Sequence, residues 1–360
     1  VKLTALLDRT APAGLLAPLA RKGRLGPLSV AAGAALLSAP LLWTTAHARL
    51  EERRDLDRHP LPGRRVDIGG RRLHASTAGA GRPGPTALFL TGLGCPLDVW
   101  ARVQGEVARS MPTVAYDRAG LGGSDRAPGP RTGRAAVDDL DRLLEAIGEP
   151  GPYVLVGHSY GGLLARLFAD RHPDRTAGMV LVDSSHPDQL LRSPGQRAGM
   201  PVMRMQMRQN ATLTRLGFAR LSESYLLTGI EDLPADAFAR ARARAMTARA
   251  ALTACDEVDG WTAGLDDDVR PTVLPPGCPL TVLTAGQSVA RDPVHGELQD
   301  ELAGLSTDGV RQTVADADHF GLVMHPSYAP LVADAIRRTA VRWRQAGGGS
   351  DVTPVEENRR

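Results

Sequence analysis

The chain has 360 residues, 42% of them hydrophobic, with 43 Lys and Arg against 40 Asp and Glu and a net charge of +3. That length holds one large domain with an insertion, or two domains, and the composition suits a globular core. Arginines scattered among acids, and aromatics at only 4%, leave neither a basic stripe nor a stacking platform, which argues against nucleic acid as a partner.

Three cysteines, Cys95, Cys255 and Cys278, make no disulfide framework and no paired metal-ligand motif, so three free thiols are expected. The uncharged run Leu25–Ala46 follows Arg21, Lys22 and Arg24. It is long enough to cross a hydrocarbon core of about 30 Å, although Pro27, Pro40 and a high Ala and Gly content weaken it. An uncleaved membrane anchor is the preferred reading. A secreted protein, with a signal segment cut at Ala46-His47-Ala48, is the second, and a soluble apolar segment the third. The basic cluster abuts the run, while Glu51, Glu52, Asp55 and Asp57 dilute the arginines beyond it, so the rest of the chain is expected outside the cytoplasm. Residues 1–48 are thus read as a basic region with an anchor or signal segment, and residues 49–63 as a polar linker closed by Pro60 and Pro62.

Arg64–Ile68 and Arg71–Ala75 flank Gly69-Gly70, a hairpin signal. Short apolar runs then recur at βα spacing: Ala87–Leu90, Thr113–Tyr116, Tyr153–Val156, Met179–Val182, Leu280–Leu283 and Arg311–Val314. Unbroken runs of this kind suit strands buried on both faces of a mostly parallel sheet. Helical stripes lie between them: Val137, Leu140, Leu144 and Ile147; Leu163, Leu167 and Phe168; Leu331, Val332, Ala335 and Ile336. The alternation predicts an α/β sandwich with right-handed crossovers. From His186 to Pro279 no strand signal appears. Residues 186–278 are read as a helical cap over the carboxyl edge of the sheet, with residues 64–185 and 279–345 as core and 346–360 as a tail. Met200, Met203, Met205 and Met207 in the cap suit an adaptable apolar pocket, or simply pack the cap on the core.

The run Tyr153-Val154-Leu155-Val156 leads straight into Gly157-His158-Ser159-Tyr160-Gly161, and the amphipathic Leu163–Arg171 follows. Strand, sharp turn and helix are the context in which Gly-x-Ser-x-Gly carries meaning. The turn forces Ser159 into a strained backbone conformation, leaves no room for side chains at Gly157 and Gly161, and lifts the hydroxyl clear of the sheet. Ser159 is the candidate nucleophile, and the Tyr160 amide at the mouth of the helix a candidate oxyanion donor. A serine needs a neighbouring imidazole to take and return its proton. His319 stands after the last strand signal, in Asp316-Ala317-Asp318-His319-Phe320-Gly321; His325, beside Pro326, is its rival. His158 packs inside the turn and His172 reads as a solvated helix end. Nucleotide binding fails at once: Gly92-Leu93-Gly94 lacks the third glycine of the dinucleotide fingerprint, and no Gly-Lys-Ser/Thr loop is present.

From Arg64 to Arg344 the chain resembles the α/β-hydrolase superfamily, in particular the branch with an N-terminal hydrophobic segment and the run Tyr116-Asp117-Arg118-Ala119-Gly120-Leu121-Gly122-Gly123-Ser124-Asp125. The resemblance implies a Ser–acid–His triad in that chain order, an oxyanion hole, and neither metal nor organic cofactor. It implies that the loop carrying His319 delivers the catalytic histidine. The acid stays open. The commonest family position falls on Val289, with Asp292 the nearest carboxylate, while the other family position, at the end of the preceding strand, falls on Asp183. Asp183 is preferred and Asp292 is the alternative. After Ala87–Leu90, where the family often has His-Gly, this chain has Thr91-Gly92, and the second oxyanion donor is the Leu93 amide. Cys95 nearby is read as a packed small residue. The expected function is hydrolysis of a small apolar ester-like substrate through an acyl-enzyme; family members that open epoxides or haloalkanes use Asp where Ser159 stands. Alternatives on the same fold are a proline aminopeptidase, a carbon–carbon hydrolase and an acyltransferase. A non-catalytic, membrane-tethered binding protein is the reading from another class.

Overall fold

Five of the apolar runs become strands with every residue buried: β3 (Thr86–Leu90), β4 (Thr113–Tyr116), β5 (Tyr153–His158), β6 (Thr176–Val182) and β7 (Leu280–Ala285). They form the centre of an 8-stranded sheet in a computed structural model that describes residues 27–218 and 230–348. The hairpin strands β1 (Arg64–Asp67) and β2 (Arg72–Ala78) pair antiparallel at one edge. Gly69 and Gly70 turn between them with φ of 92° and 85°, backbone that a β-carbon would strain. The sheet order is β1-β2-β4-β3-β5-β6-β7-β8, and every pair from β4 onward is parallel.

β8 (Gly309–Val314) departs from expectation. It is an edge strand with no fully buried residue, and its Arg311 reaches back to donate to Thr284 Oγ1 and the Gly296 carbonyl. Its mixed run Gly-Val-Arg-Gln-Thr-Val has too little apolar content for a strand covered on both faces.

The period of two sorts side chains to two cores. Leu88, Val114, Leu155 and Leu181 pack under the helices Gly133–Ile147 and Tyr160–Arg171. Phe89, Ala115, Val156 and Val182 pack under Ala101–Val107 and Ala329–Gln345. Among its described residues the regular structure of the cap is all helical: Gln189–Arg192, Pro194–Arg215, Ala235–Ala245, Ala248–Gly260, then a widened turn Trp261–Leu265 and Asp266–Val269.

A helix spans Pro27–Arg58 and ends before Pro60. The stretch expected as a linker is thus helical as far as Arg58, where its charges pair within the helix, as in Arg54–Glu51 at 2.6 Å. The helix is also tied to the cap. Thr44 Oγ1 donates to the Leu216 carbonyl at 3.0 Å, and just beyond the helix Arg244 Nη2 donates to the His59 carbonyl at 2.8 Å. Among the described residues no helix is long and apolar enough to cross a membrane, so the expected span is not found in this helix. Its Ala, Gly and Pro content and the charges from Arg49 onward dilute its apolar character. Leu25 and the basic cluster Arg21–Arg24 lie outside the described residues, as do residues 349–360 of the expected tail.

Candidate active site

Five segments at the carboxyl edge of the sheet meet here, following β3, β5, β6, β7 and β8. Ser159 leaves β5 with φ 53° and ψ −124° and caps the helix Tyr160–Arg171. A β-carbon on Gly157 would strike the Gly162 backbone, and one on Gly161 the Leu90 carbonyl, so the turn closes only with glycine at both places. Asp183 leaves β6 with φ 41°; among the described residues it and Ser159 are the two non-glycine residues at positive φ. Strain of this kind persists where surrounding structure over-determines it, commonly at functional sites.

His319 Nδ1–H donates to Asp183 Oδ2 at 2.7 Å. Asp292, the alternative acid, accepts instead from Ser193 Oγ and Gln196 Nε2 at 2.7 and 3.1 Å. It caps the start of the helix Pro293–Ala303 and is committed to the cap. Of the two acids left open by the sequence, Asp183 is therefore the one within hydrogen-bond reach of the His319 ring. Asp183 is 1% exposed and also accepts from His295 Nε2 (2.9 Å), Ser288 Oγ (2.8 Å) and the Ala285 amide (2.9 Å). Burial alone would raise its pKa, but the hydrogen bonds from His295 and His319 outweigh that and hold the carboxyl well below the usual range. A carboxylate so placed fixes the His319 tautomer with the proton on Nδ1 and leaves Nε2 free to accept one.

His158 is fully buried in the turn and braces this loop: its Nε2–H donates to the His319 carbonyl at 3.0 Å. Burial drives its pKa down to about 3, so the ring is neutral. His325 packs at a tilt against the Tyr328 ring, and His172 pairs with Asp141. Neither lines the cavity at Ser159.

That cavity has a volume of about 980 Å³ and is lined by Ser159, His319, Leu93 and, from the cap, Met200, Met203, Met207 and Trp261. Met205, grouped with the other methionines by sequence, points outward and is 54% exposed. Leu93 and Ser159, which caps the Tyr160 helix, line the cavity, and neither the Leu93 nor the Tyr160 amide donates to another described residue. The first amides of a helix have no intrahelical acceptor, so Tyr160 N–H is available to an anion.

The loop after β3 is held by a buried ion pair. Arg118 Nε donates to Glu257 Oε1 at 2.6 Å, while its other nitrogens donate to the Thr91 and Gly92 carbonyls at 2.7 and 2.8 Å. Glu257 Oε2 in turn accepts from the Gly94 amide at 2.8 Å. The Tyr-Asp-Arg run and a cap helix thus clamp one loop from two sides.

Glu257 and His295 were missed by sequence reasoning. Both sit on helices among other polar residues, where nothing in the local pattern marks them. Cys95 lines the cavity, yet burial pushes its thiol up to about 11, which keeps it protonated. All three cysteines are free.

Known proteins agree with this architecture. A putative carbamate hydrolase of Caulobacter segnis is 36% identical over 28% of this chain and 39% of its own length. The chain spans less than half the length of each of the first curated relatives it matches. A thermophilic esterase from Thermogutta terrifontis superposes with TM-score 0.57 at 21% identity, over 78% of this chain and 100% of that one. An epoxide hydrolase from Bacillus megaterium does so with TM-score 0.59 at 18% identity, over 77% and 99%. The sequence model of the α/β-hydrolase family matches residues 87–335, and the chain belongs to that family.

Proposed function

We propose that the protein is a serine hydrolase that cleaves a small, apolar, ester-like substrate through an acyl-enzyme. The observation that carries this reading is the elbow serine at positive φ, opening on the same cavity as a histidine whose Nδ1 is bonded to a buried aspartate. Ser159 Oγ attacks the carbonyl carbon as its proton passes to His319 Nε2. Asp183 holds the ring and stabilises the imidazolium. The tetrahedral oxyanion is received by the Leu93 and Tyr160 amides, donors worth about 10²–10³ in turnover each. The carbon–oxygen bond to the alcohol then breaks, and the alcohol leaves with the proton from His319. Water, deprotonated by the same imidazole, repeats the sequence on the acyl-enzyme and restores Ser159.

The lining of methionines and Trp261 supports an apolar acyl or alcohol portion, and a cavity near 980 Å³ suits a small organic substrate. The relatives described as an esterase and a carbamate hydrolase are in keeping with acyl transfer. The epoxide hydrolase among the structural neighbours shares the fold, but a serine at the elbow favours attack on a carbonyl. The test pairs a short nitrophenyl ester with a fluorophosphonate probe. Wild type should turn over the ester and be labelled at Ser159, and Ser159→Ala should do neither. Turnover retained by a folded Ser159→Ala variant would overturn the assignment.

A further inference from the structure

The longest cap helix, Pro194–Arg215, carries Arg197, Arg204, Arg208 and Arg215 and no carboxylate at all. At 3.6 residues per turn its side chains fall into three stripes. Met200, Met203 and Met207 face the cavity at Ser159. Val202, Met205 and Leu213 point outward and are 49%, 54% and 43% exposed. The arginines run between the two stripes along one flank. Arg204 and Arg208 share one acid, Asp259, at 2.5 and 3.1 Å, so the flank keeps an excess of positive charge.

The N-terminal helix meets the end of this cap helix. Thr44 is bonded to the Leu216 carbonyl, and Gly217 lies under the Thr44 carbonyl so closely that a β-carbon there would clash. This contact ties the N-terminal helix, whose Leu42 and Trp43 are 67% and 66% exposed, to the end of the cap helix, where Phe218 is 38% exposed. A shallow groove of about 780 Å³ runs along the same face past Met205 and Leu213. Met200 lines both this groove and the cavity at Ser159.

An apolar stripe flanked by arginines, without acids, is the composition of a helix that lies in the plane of a membrane interface. Trp43 adds the side chain that favours the headgroup level. We infer that the outer face of Pro194–Arg215, with Leu42 and Trp43, docks on a bilayer surface bearing anionic headgroups, without crossing it. Leu42 and Trp43 belong to the apolar run Leu25–Ala46, and the Thr44 contact joins that run to the end of the same cap helix. The docked face is then one side chain, Met200, away from the Ser159 cavity. Binding does not depend on the hydrolytic reading.

The experiment is flotation of the full chain with vesicles of phosphatidylcholine alone and of phosphatidylcholine mixed with phosphatidylglycerol. Wild type should float with the mixed vesicles and be released by salt. Charge reversal at two arginines, Arg208→Glu with Arg215→Glu, should weaken binding roughly tenfold or more. Met205→Asp with Leu213→Asp should weaken it similarly, whereas Val341→Asp, on an exposed valine of the C-terminal helix, should not. Asp259→Asn frees two arginines and should tighten binding, a gain that misfolding would not produce. Wild type that fails to float with anionic vesicles overturns the inference. So do cap variants that float like wild type, because the N-terminal run alone would then carry the binding.

Discussion

Two buried aspartates end strands of the same sheet, and each holds a histidine. Asp117, after β4, accepts from His74 Nδ1 at 2.6 Å; Asp183, after β6, accepts from His319 Nδ1 at 2.7 Å. The pairs differ in the second ring nitrogen. His74 Nε2 faces the Pro62 carbonyl at 2.5 Å, so both nitrogens meet acceptors and the ring is held as an imidazolium. His319 Nε2 is left to the cavity, and its ring is 32% exposed where that of His74 is 1%. The same carboxylate–imidazole unit thus serves as a staple where both nitrogens are occupied. Where one remains free, it has the geometry of a proton acceptor.

Replacing the two acids alike should separate the pairs most widely. Asp183→Asn is expected to lower kcat on the ester by about three to four orders of magnitude with little change in KM, because the His319 tautomer is no longer fixed. Asp117→Asn breaks a buried ion pair and also loosens carboxylate bonds to the Leu97 and Gly123 amides. It is expected to cost roughly 3–5 kcal/mol in denaturant unfolding, with kcat of the folded molecules near wild type. The comparison fails if the effects are reversed.

Stability against pH should sharpen the contrast. Burial alone would lower the His74 pKa, but Asp117, helped by the Pro62 carbonyl and Asp98, raises it above the ordinary 6.5. Because the folded value is raised, the His74 contribution is complete below pH 6.5 and is lost as the pH rises through the folded value. His158 has the opposite sign. It is buried neutral with a value near 3, so the native state loses stability as the pH falls from 6.5 toward 3. Urea midpoints of wild type and His74→Gln should converge as the pH rises above the native His74 value. A gap that widens instead would mean that the ring is not charged.

The sequence spoke clearly where one local rule acted. Tyr153–Val156 had to be a buried strand, and Gly157, Ser159 and Gly161 had to close a turn behind it. His319 was marked by its position after the last strand signal, with His325 as its rival, and the bond to Asp183 is what tells the two rings apart. Choosing between Asp183 and Asp292 needed distances, because both belong to loops at the same edge of the sheet. What separates them is that Asp292 is taken up by Ser193 and Gln196 of the cap. Glu257 was illegible for a related reason: its partner Arg118 is far away in sequence, and a lone acid on a cap helix has no periodic signature. The helix through Leu50–Arg58 was hidden by its charges, which read as a solvated linker until their spacing along one helix is seen.

The smallest effect is expected at His295, and it bears directly on the difference between the two aspartates. Asp183 divides its charge between His319 on Oδ2 and His295 on Oδ1, with Ser288 and the Ala285 amide as neutral donors. Asp117 has one imidazole and two backbone amides. In His295→Phe the carboxylate keeps its bond to His319 but loses a competing donor, so more of its charge falls on the His319 N–H. Hydrogen bonds to charged groups contribute about 1.5–3 kcal/mol, of which a fraction is passed on. In His295→Phe kcat should therefore change by less than about tenfold with KM unmoved, and His295→Gln, which keeps a donor for Oδ1, should return kcat toward wild type. A His295→Gln protein no closer to wild type than His295→Phe would assign His295 to packing alone.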